Sequence, residues 1–255
     1  MKAHRVISVA VGLWFLSILM AAPAANAAEV KLLCSTGLKA VVEELVPQFE
    51  RATTHKVVVQ FGLASALKQR IDAGEAFDLA VLTPAFLDDV IKQGKIAADT
   101  RSVIARSGLG VLIKTGARKP DISSVDAFKR ALLDATSITY AKEGASGVLF
   151  AGTIQKLGIA DALKAKTRFT ASGEEVGENV VRGVAEFGIL PLSEILPVRG
   201  AELLAMFPSE VQSYITMAGG VNVNAPQPAA GRELLKFLMS ASALPVVKAE
   251  GMERE

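Results

Sequence analysis

Residues 30–49, VKLLCSTGLKAVVEELVPQF, decide how this chain is expected to fold. The first five residues are a short apolar run of the kind that forms a buried strand, and residues 35–37 (STG) end that run. From Leu38 to Phe49, apolar side chains then recur at helical spacing. The stretch therefore predicts a strand, a polar turn and a helix, which is the repeating unit of α/β proteins.

The same unit recurs in the residues that follow. Residues 56–61 (KVVVQF) are rich in β-branched side chains, and the composition of residues 64–71 favours a helix. Residues 77–82 form another apolar run, after which Pro84 opens a further helix. Three successive strand–helix units predict a parallel sheet covered by helices.

This order changes after Arg101. Two extended runs, at 102–106 and 109–114, follow each other with no helix between them. A second extended pair around a double glycine occupies residues 214–223. Paired runs of this kind carry a chain from one lobe to another, although plain hairpins would produce the same pattern.

Between the two extended pairs, residues 121–190 form a second α/β series. If both pairs are crossovers, residues 107–215 form one lobe, and residues 28–106 combine with residues 216–255 as the other. The fold class expected from this organisation is therefore α/β with two lobes.

The N-terminus predicts a secretory signal peptide over residues 1–27. Two basic side chains precede an uncharged run at 6–23, and Ala25 and Ala27 have the spacing of a signal-peptidase site. The alternative is an uncleaved membrane anchor, because the run approaches the ~20 residues that span a bilayer. Pro23 and the alanines favour cleavage after Ala27, and hence export of a soluble protein to the periplasm. The mature protein is expected to be a monomer.

Charge and cysteine content exclude several classes of function. The 255 residues carry 28 basic and 26 acidic side chains, and the surplus of +2 equals the two basic residues of the signal peptide. A balanced mature chain is not a nucleic-acid-binding protein. The lone Cys34 excludes an intramolecular disulfide, and His55, the one histidine after residue 27, is expected in a packing or surface role. No metal site or cofactor is predicted.

The candidate binding residues lie in small, polar turns between strands and helices. These turns are residues 34–37 (CSTG), 62–65 (GLAS), 144–147 (GASG) and, less clearly, 177–180 (GENV). In a parallel sheet such turns gather where ligands bind, and helix N-termini present free N–H groups to anions. Each turn alone is more often an ordinary helix cap than a ligand site, but four of them in a two-lobed, exported chain favour an anion site.

Four longer segments carry a family resemblance. They are FGLASALKQRIDAGEAFDLAVLT (61–83), ASGVLFAGTIQKLGI (145–159), GENVVRGVAEFGIL (177–190) and AAGRELLKFLMSASALPVVKAEGME (229–253). In these segments the chain resembles the molybdate-binding family of periplasmic solute-binding proteins, the soluble receptors of ABC importers. The resemblance runs from about Val30 to the C-terminus.

The resemblance implies a type II periplasmic-binding-protein fold, with mainly parallel sheets flanked by helices and two crossover strands as the hinge. It also implies a small anion held between the lobes by hydroxyl and backbone N–H groups, and an inner-membrane ABC permease as partner. The positions implied to bind the ligand are Ser35, Thr36, Ser65, Ser146, Gly147 and Val180. The chain departs from the family where a second ligand serine falls at Leu63 or Ala64, and where a tyrosine falls at Pro191.

Arg106 and the residues near it introduce other possibilities. Its guanidinium, at the first proposed crossover, is suited to pair with a ligand carboxylate. The chain also resembles aconitate isomerase, an enzyme on the same scaffold that needs a base near its substrate. Tyr140 and Glu143 are the first candidates for that base, with Lys142 and His55 behind them. Three hypotheses therefore stand: a molybdate or tungstate receptor, a receptor for a small organic carboxylate, and an isomerase of a tricarboxylate.

Overall fold

The first half of the protein is a series of strand–helix units, as the sequence predicts. The computed structural model describes residues 27–254, so the run at 6–23 that carries the signal-peptide prediction lies outside the described residues. The first elements are β1 (Glu29–Ser35), α1 (Lys39–Thr53), β2 (Lys56–Gly62), α2 (Ala64–Asp72), β3 (Leu79–Leu82) and α3 (Pro84–Lys92). β1 pairs in parallel with β2 on one side and with β3 on the other.

The two extended runs after Arg101 form one continuous strand, β4 (Ser102–Lys114). β4 changes its partners along its length. Its first half, up to Gly108, pairs with β9 (Tyr214–Val221), and from Leu109 onward it pairs with strands of the second α/β series. β4 therefore passes from one half of the molecule into the other.

The second α/β series supplies the remaining strands. Its elements are α4 (Val125–Asp134), β5 (Ile138–Ala141), α5 (Ala145–Lys156), α6 (Ala160–Leu163), β6 (Thr167–Thr170), α7 (Gly173–Val181), β7 (Phe187–Pro191), α8 (Leu192–Ile195) and β8 (Ala201–Met206). β5 pairs in parallel with β6 and β7, whereas β4 pairs with β7 and β8 in antiparallel fashion. The resulting strand order is β2-β1-β3-β9-β4-β7-β5-β6, with β8 also on β4.

The chain returns to the first half through β9, which lies between β3 and β4. Residues 219 and 220 of this strand are both glycine. A side chain at 219 would overlap Leu235, and a side chain at 220 would overlap Ile96. The last helices, α9 (Pro228–Leu238) and α10 (Leu244–Ala249), pack beside α1, while α2 and α3 cover the opposite face of the sheet. The bounds proposed for the two lobes, at 106/107 and 215/216, stay a prediction.

A buried network, here called the seam, ties the two halves together where β4 passes between them. Ser107 Oγ donates to the carbonyl of Gly251 (2.9 Å) and accepts from the N–H of Ser193 (3.1 Å). Ser193 Oγ in turn donates to the carbonyl of Gly37 (3.2 Å). The seam thus joins α8, β4, the C-terminal segment and the turn after β1 through groups that are all hydrogen-bonded.

None of the helices described between residues 27 and 254 has the length and apolar character that crossing a bilayer requires.

Candidate functional site

A cleft of about 520 Å³ opens between the two halves of the molecule. Its walls follow the carboxyl ends of β1, β2 and β3 on one side and of β5, β6 and β7 on the other, with β9 behind. The polar side chains in the lining are those of Ser35, Thr36, Ser65, Thr83, Glu143, Ser146, Glu194, Tyr214 and Thr216. Among the lining residues, all within the described part of the chain, there is no Lys, Arg or His.

Two serines of the cleft are buried and lack hydrogen-bond partners. Ser35 ends β1 and Ser146 lies in the first turn of α5, so they face the cleft from opposite halves. Each is 5% exposed, and neither Oγ bonds to another group between residues 27 and 254. Neither oxygen is among the described side-chain atoms that are closed off from solvent without a partner, so both hydroxyls open onto the cleft and are available to a ligand.

Several helix N-termini point their free N–H groups at the same cleft. Leu63, Thr83 and Gly144 precede α2, α3 and α5, and none of them caps its helix through a side chain. By contrast, Ser124 caps α4, whose N-terminus lies away from the cleft. The uncapped ends combine unpaired donors with the positive ends of helix dipoles, which is a favourable environment for an anion.

The fourth predicted turn, at residues 177–180, is not a turn. α7 begins at Gly173, with Ser172 as its N-cap, so Val180 lies near the end of this helix. Its N–H is positioned for the intrahelical bond four residues back, and its side chain is fully buried. Val180 does not line the cleft, so its predicted donation to a ligand has no support in this arrangement, whereas Gly173, at the start of α7, does line it.

Glu194 is the cleft residue that the sequence analysis missed. It lies on the short helix α8 after β7, and its carboxylate reaches between the turns of the two halves. A side chain on Gly173 would overlap Oε2, and Oε1 lies 3.9 Å from the position of a Cβ on Gly37. Between residues 27 and 254 the carboxylate has no hydrogen-bond or ion-pair partner. Burial, and to a smaller extent the charge of Glu174, raise the pKa of Glu194 to about 7.

A signal for Glu194 was present in the sequence. The carboxylate follows the apolar run at 187–190 after a short polar stretch, as the other cleft residues follow their strands.

A second recess, of about 770 Å³, meets the cleft at Glu194 and has a different character. It is lined by charged side chains, among them Lys39, Glu174, Arg182 and Arg199. Lys39 Nζ and Glu174 Oε1 form an ion pair of 2.6 Å that joins α1 of the first half to α7 of the second. The cations of this region thus lie beside the cleft and not in its wall.

Comparison with known proteins settles the family. The profile of the bacterial extracellular solute-binding proteins matches residues 30–253, nearly all of the described chain. The chain belongs to that family.

Individual relatives divide between an enzyme and a receptor. The chain is 29% identical to aconitate isomerase from a Pseudomonas species over 228 residues, covering 87% of this chain and 86% of that protein. It is 26% identical to the molybdate-binding protein ModA of Azotobacter vinelandii over 237 residues, covering 89% and 91%.

The solved structure of the periplasmic molybdate-binding protein of Azotobacter vinelandii superposes with a TM-score of 0.76 over 89% of this chain and 99% of that one, at 18% identity. The predicted fold class, a type II periplasmic binding protein, is confirmed.

Most of the predicted binding positions of this family member come together in the cleft. Ser35, Thr36, Ser65 and Ser146 all line it. Gly147 has a supporting role, because a Cβ there would overlap the carbonyl oxygen of Ala141 at the end of β5. Glycine at this position lets the first turn of α5 lie directly against the strand, which places Ser146 at the cleft wall.

Arg106 is not among the residues that line the cleft. Its Nε donates to Glu253 Oε1 at 2.8 Å, and its guanidinium stacks on the ring of Tyr214 at 4.5 Å. The backbones of Arg106 and Glu253 also exchange two hydrogen bonds. The guanidinium is thus held by the C-terminal segment behind Tyr214, and the predicted pairing with a ligand carboxylate has no support in this arrangement.

The predicted base candidates are not placed for that role. Tyr140 is buried between Phe150 and Phe169, each at a ring distance of 5.2 Å, and burial raises its pKa. Glu143 lines the cleft, but it is exposed at the rim. His55 packs far from the cleft, where its Nδ1 accepts from the N–H of Ala28.

Burial raises the pKa of the Cys34 thiol, which keeps it protonated beside the cleft wall. In the part of the chain that the structure describes, no group of three or more His, Cys, Asp or Glu side chains is arranged to hold a metal ion.

Proposed function

We propose that the protein is a receptor that binds a small organic anion in the cleft and passes it to an ABC permease. The observation that carries this proposal is that the hydroxyls of Ser35 and Ser146 open onto the cleft and have no hydrogen-bond partner among residues 27–254. They face one another from opposite halves, and uncapped helix N-termini surround them. A ligand rich in hydrogen-bond acceptors satisfies both sets of donors at once.

The absence of cationic side chains from the lining sets how the ligand is held. Because the charges of residues 28–255 balance, the anion is selected by oriented N–H and O–H groups and not by bulk positive charge. Such a site requires donors from both halves. Closure of the lobes about β4 and β9 completes it and excludes water.

The apolar part of the lining favours an organic anion over a bare oxyanion. Phe86, Val148, Leu149 and Met217 line the same cleft as the hydroxyls. Its volume of about 520 Å³ is within the usual range for small-molecule sites and exceeds what a tetrahedral oxyanion fills. A ligand with carboxylates on a short carbon skeleton uses both kinds of surface. Molybdate is included among the ligands tested below, because one relative is named a molybdate-binding protein.

Export follows from the same proposal. We infer that residues 1–27 are removed after Ala27 and that the mature protein acts in the periplasm, where a permease receives the closed form. Mass spectrometry of the N-terminus of protein recovered from the periplasm tests the cleavage site.

A second candidate function, isomerisation of an aconitate-like acid, is favoured by Glu194. An allylic proton shift needs one group that takes a proton from a carbon and returns it to another carbon of the same system. Glu194 is half-buried in the cleft and has no partner among residues 27–254, and its pKa of about 7 suits a group that exchanges protons near neutral pH. The relative named aconitate isomerase is 29% identical to this chain.

A thermal-shift and calorimetric screen with citrate, cis- and trans-aconitate, molybdate and sulfate tests the receptor proposal. At least one organic acid should raise the melting temperature by several degrees, because a ligand stabilises the state that binds it. The double variant Ser35→Ala/Ser146→Ala should lose this shift. The matched control, Ser240→Ala/Ser242→Ala, removes an exposed serine pair and should keep it.

The outcomes separate the candidates. If no anion shifts the melting temperature, or if the shift survives in the double cleft variant, the receptor proposal fails. If molybdate alone raises the melting temperature, the ligand is an oxyanion and not an organic anion. Incubation with cis-aconitate, followed by proton NMR, tests the enzyme; failure to form the trans isomer removes it.

A further inference from the structure

The carboxylate of Glu194 presents a problem for any anion in this cleft. It lies at the junction of the two halves, against the N-terminal turn of α7 and facing Gly37. The donors that serve an anion surround it, yet no cationic side chain of the lining offsets its charge. Two like charges at short range in a partly enclosed cleft repel each other.

The groups around Glu194 do not remove this repulsion. Glu174 on α7 adds negative charge and is itself paired with Lys39 on α1. Glu143 in the turn before α5 and Tyr214 on β9 line the same cleft, while α8 and the turn after β1 contribute no other ionisable group to its lining. Besides Lys39, Glu174 and Glu194, the charged side chains of the second recess are Glu43, Glu178, Arg182 and Arg199.

We propose that Glu194 binds a proton together with the anionic ligand and donates its O–H to a ligand oxygen. This inference rests on the proposed function, whose binding site it completes. The proton comes from solvent: an O–H bond forms on the carboxylate as the ligand enters, and the proton returns to solvent when the ligand leaves. The repulsive carboxylate becomes a neutral donor, and one more donor joins Ser35 and Ser146.

The pKa of Glu194, raised to about 7 by burial, makes this step accessible near neutral pH. Above that pH the free protein must take up a proton to bind, so affinity falls as pH rises. From about pH 6 to about pH 9 the loss for a fully ionised ligand is roughly a hundredfold. Below about pH 6 the carboxyl is already protonated and affinity levels off.

The proposal also defines a class of ligand. An anion without a proton of its own, such as sulfate, molybdate or trans-aconitate near neutral pH, requires the proton on Glu194. A ligand that carries an acidic proton donates it to the carboxylate instead, so its binding follows its own titration. The cleft therefore discriminates between anions by their proton content as well as by their shape.

Calorimetry in buffers of different ionisation enthalpy measures the protons taken up on binding. The probe is whichever of sulfate, molybdate and trans-aconitate the wild-type protein binds. At about pH 8 the wild type should take up close to one proton for each ligand bound. Glu194→Gln, whose carboxamide donates without titrating, should take up close to none and lose the hundredfold pH dependence.

Glu29→Gln is the matched control, because it removes an exposed carboxylate at the start of β1, outside the lining of the cleft. Its proton uptake and pH dependence should equal those of the wild type. Glu194→Gln should also raise the melting temperature of the ligand-free protein at alkaline pH by several degrees, and have less effect near pH 4 where the carboxyl is neutral.

Binding without proton uptake in the wild type overturns the proposal while leaving the anion receptor intact. If no probe binds at any pH, the receptor proposal itself fails. Should Glu194→Gln fail to fold, the wild-type proton count still decides.

Discussion

Two pairs of buried serines in this protein have opposite surroundings. Ser107 and Ser193 in the seam are 1% and 5% exposed, and each hydroxyl has found its partners within the chain. Ser35 and Ser146 in the cleft are each 5% exposed, and their hydroxyls have none between residues 27 and 254. Residues of similar burial thus differ in pairing: the seam hydroxyls hold the halves together, and the other two hydroxyls open onto the cleft.

The largest expected effect on the free energy of unfolding is that of Gly147, the residue that positions Ser146 at the cleft wall. Gly147→Ala puts a Cβ onto the carbonyl of Ala141, so α5 must move and carry Ser146 with it. We expect a loss of about 3 kcal/mol in the free energy of unfolding, measured by urea denaturation.

Gly152→Ala is the control for that variant, since it lies in the same helix with no heavy atom within 4 Å. It should be neutral or gain up to about 1 kcal/mol, because alanine favours the helix more than glycine does. Equal effects of the two substitutions would contradict the packing role of Gly147.

Ser107→Ala tests the seam. The substitution leaves the N–H of Ser193 and the carbonyl of Gly251 without their partner. We expect the free energy of unfolding to fall by about 1–3 kcal/mol, because buried polar groups lose a bond and gain no water. The exposed Ser242→Ala should change it by less than about 0.5 kcal/mol. A neutral Ser107→Ala would remove the distinction between the two serine pairs.

Ser146→Ala tests the cleft side alone. Here no intramolecular bond is lost, so the stability of the ligand-free protein should change by less than about 0.5 kcal/mol. Affinity for the anion found in the screen should fall tenfold or more, as expected for a hydrogen bond to a charged group worth about 1.5–3 kcal/mol. Titration calorimetry and denaturation of the same sample measure both. A large loss of stability with unchanged affinity would reverse the assignment.

The smallest effect is expected at Arg106, outside both serine pairs. Its side chain is 30% exposed and its partner Glu253 is 52% exposed, so the ion pair contributes less than about 1 kcal/mol. Arg106→Gln should leave anion affinity unchanged within error. A tenfold loss of affinity for a carboxylate would restore the role that the sequence predicts for this guanidinium.

The sequence predicts some of the turns that line the cleft better than others. The turns after β1, β2 and β5 were predictable, because each follows an apolar run and carries small polar residues. The turn before α7 was misplaced, since helical spacing continues smoothly through residues 173–184 and gives no mark of where the first turn lies. A start at Ser172 becomes evident only from the side-chain cap that it makes to Glu175.

The sequence does not predict the long-range contacts, because local patterns do not indicate which distant residues will meet. Arg106 and Glu253 are 147 residues apart, and nothing local marks them as partners. Glu194 belongs to the cleft only because β7 lies beside β4 and brings α8 against the turn after β1.

By itself, the sequence determined the α/β class, the extended crossover, the polar turns and the balance of charge, because each depends on neighbours within a few residues. The tertiary structure decided which hydroxyls have no partner among residues 27–254, that Arg106 pairs with Glu253, and that the carboxylate of Glu194 lies in the cleft. These depend on burial and on contacts between distant segments, and both exist only once the two halves have packed.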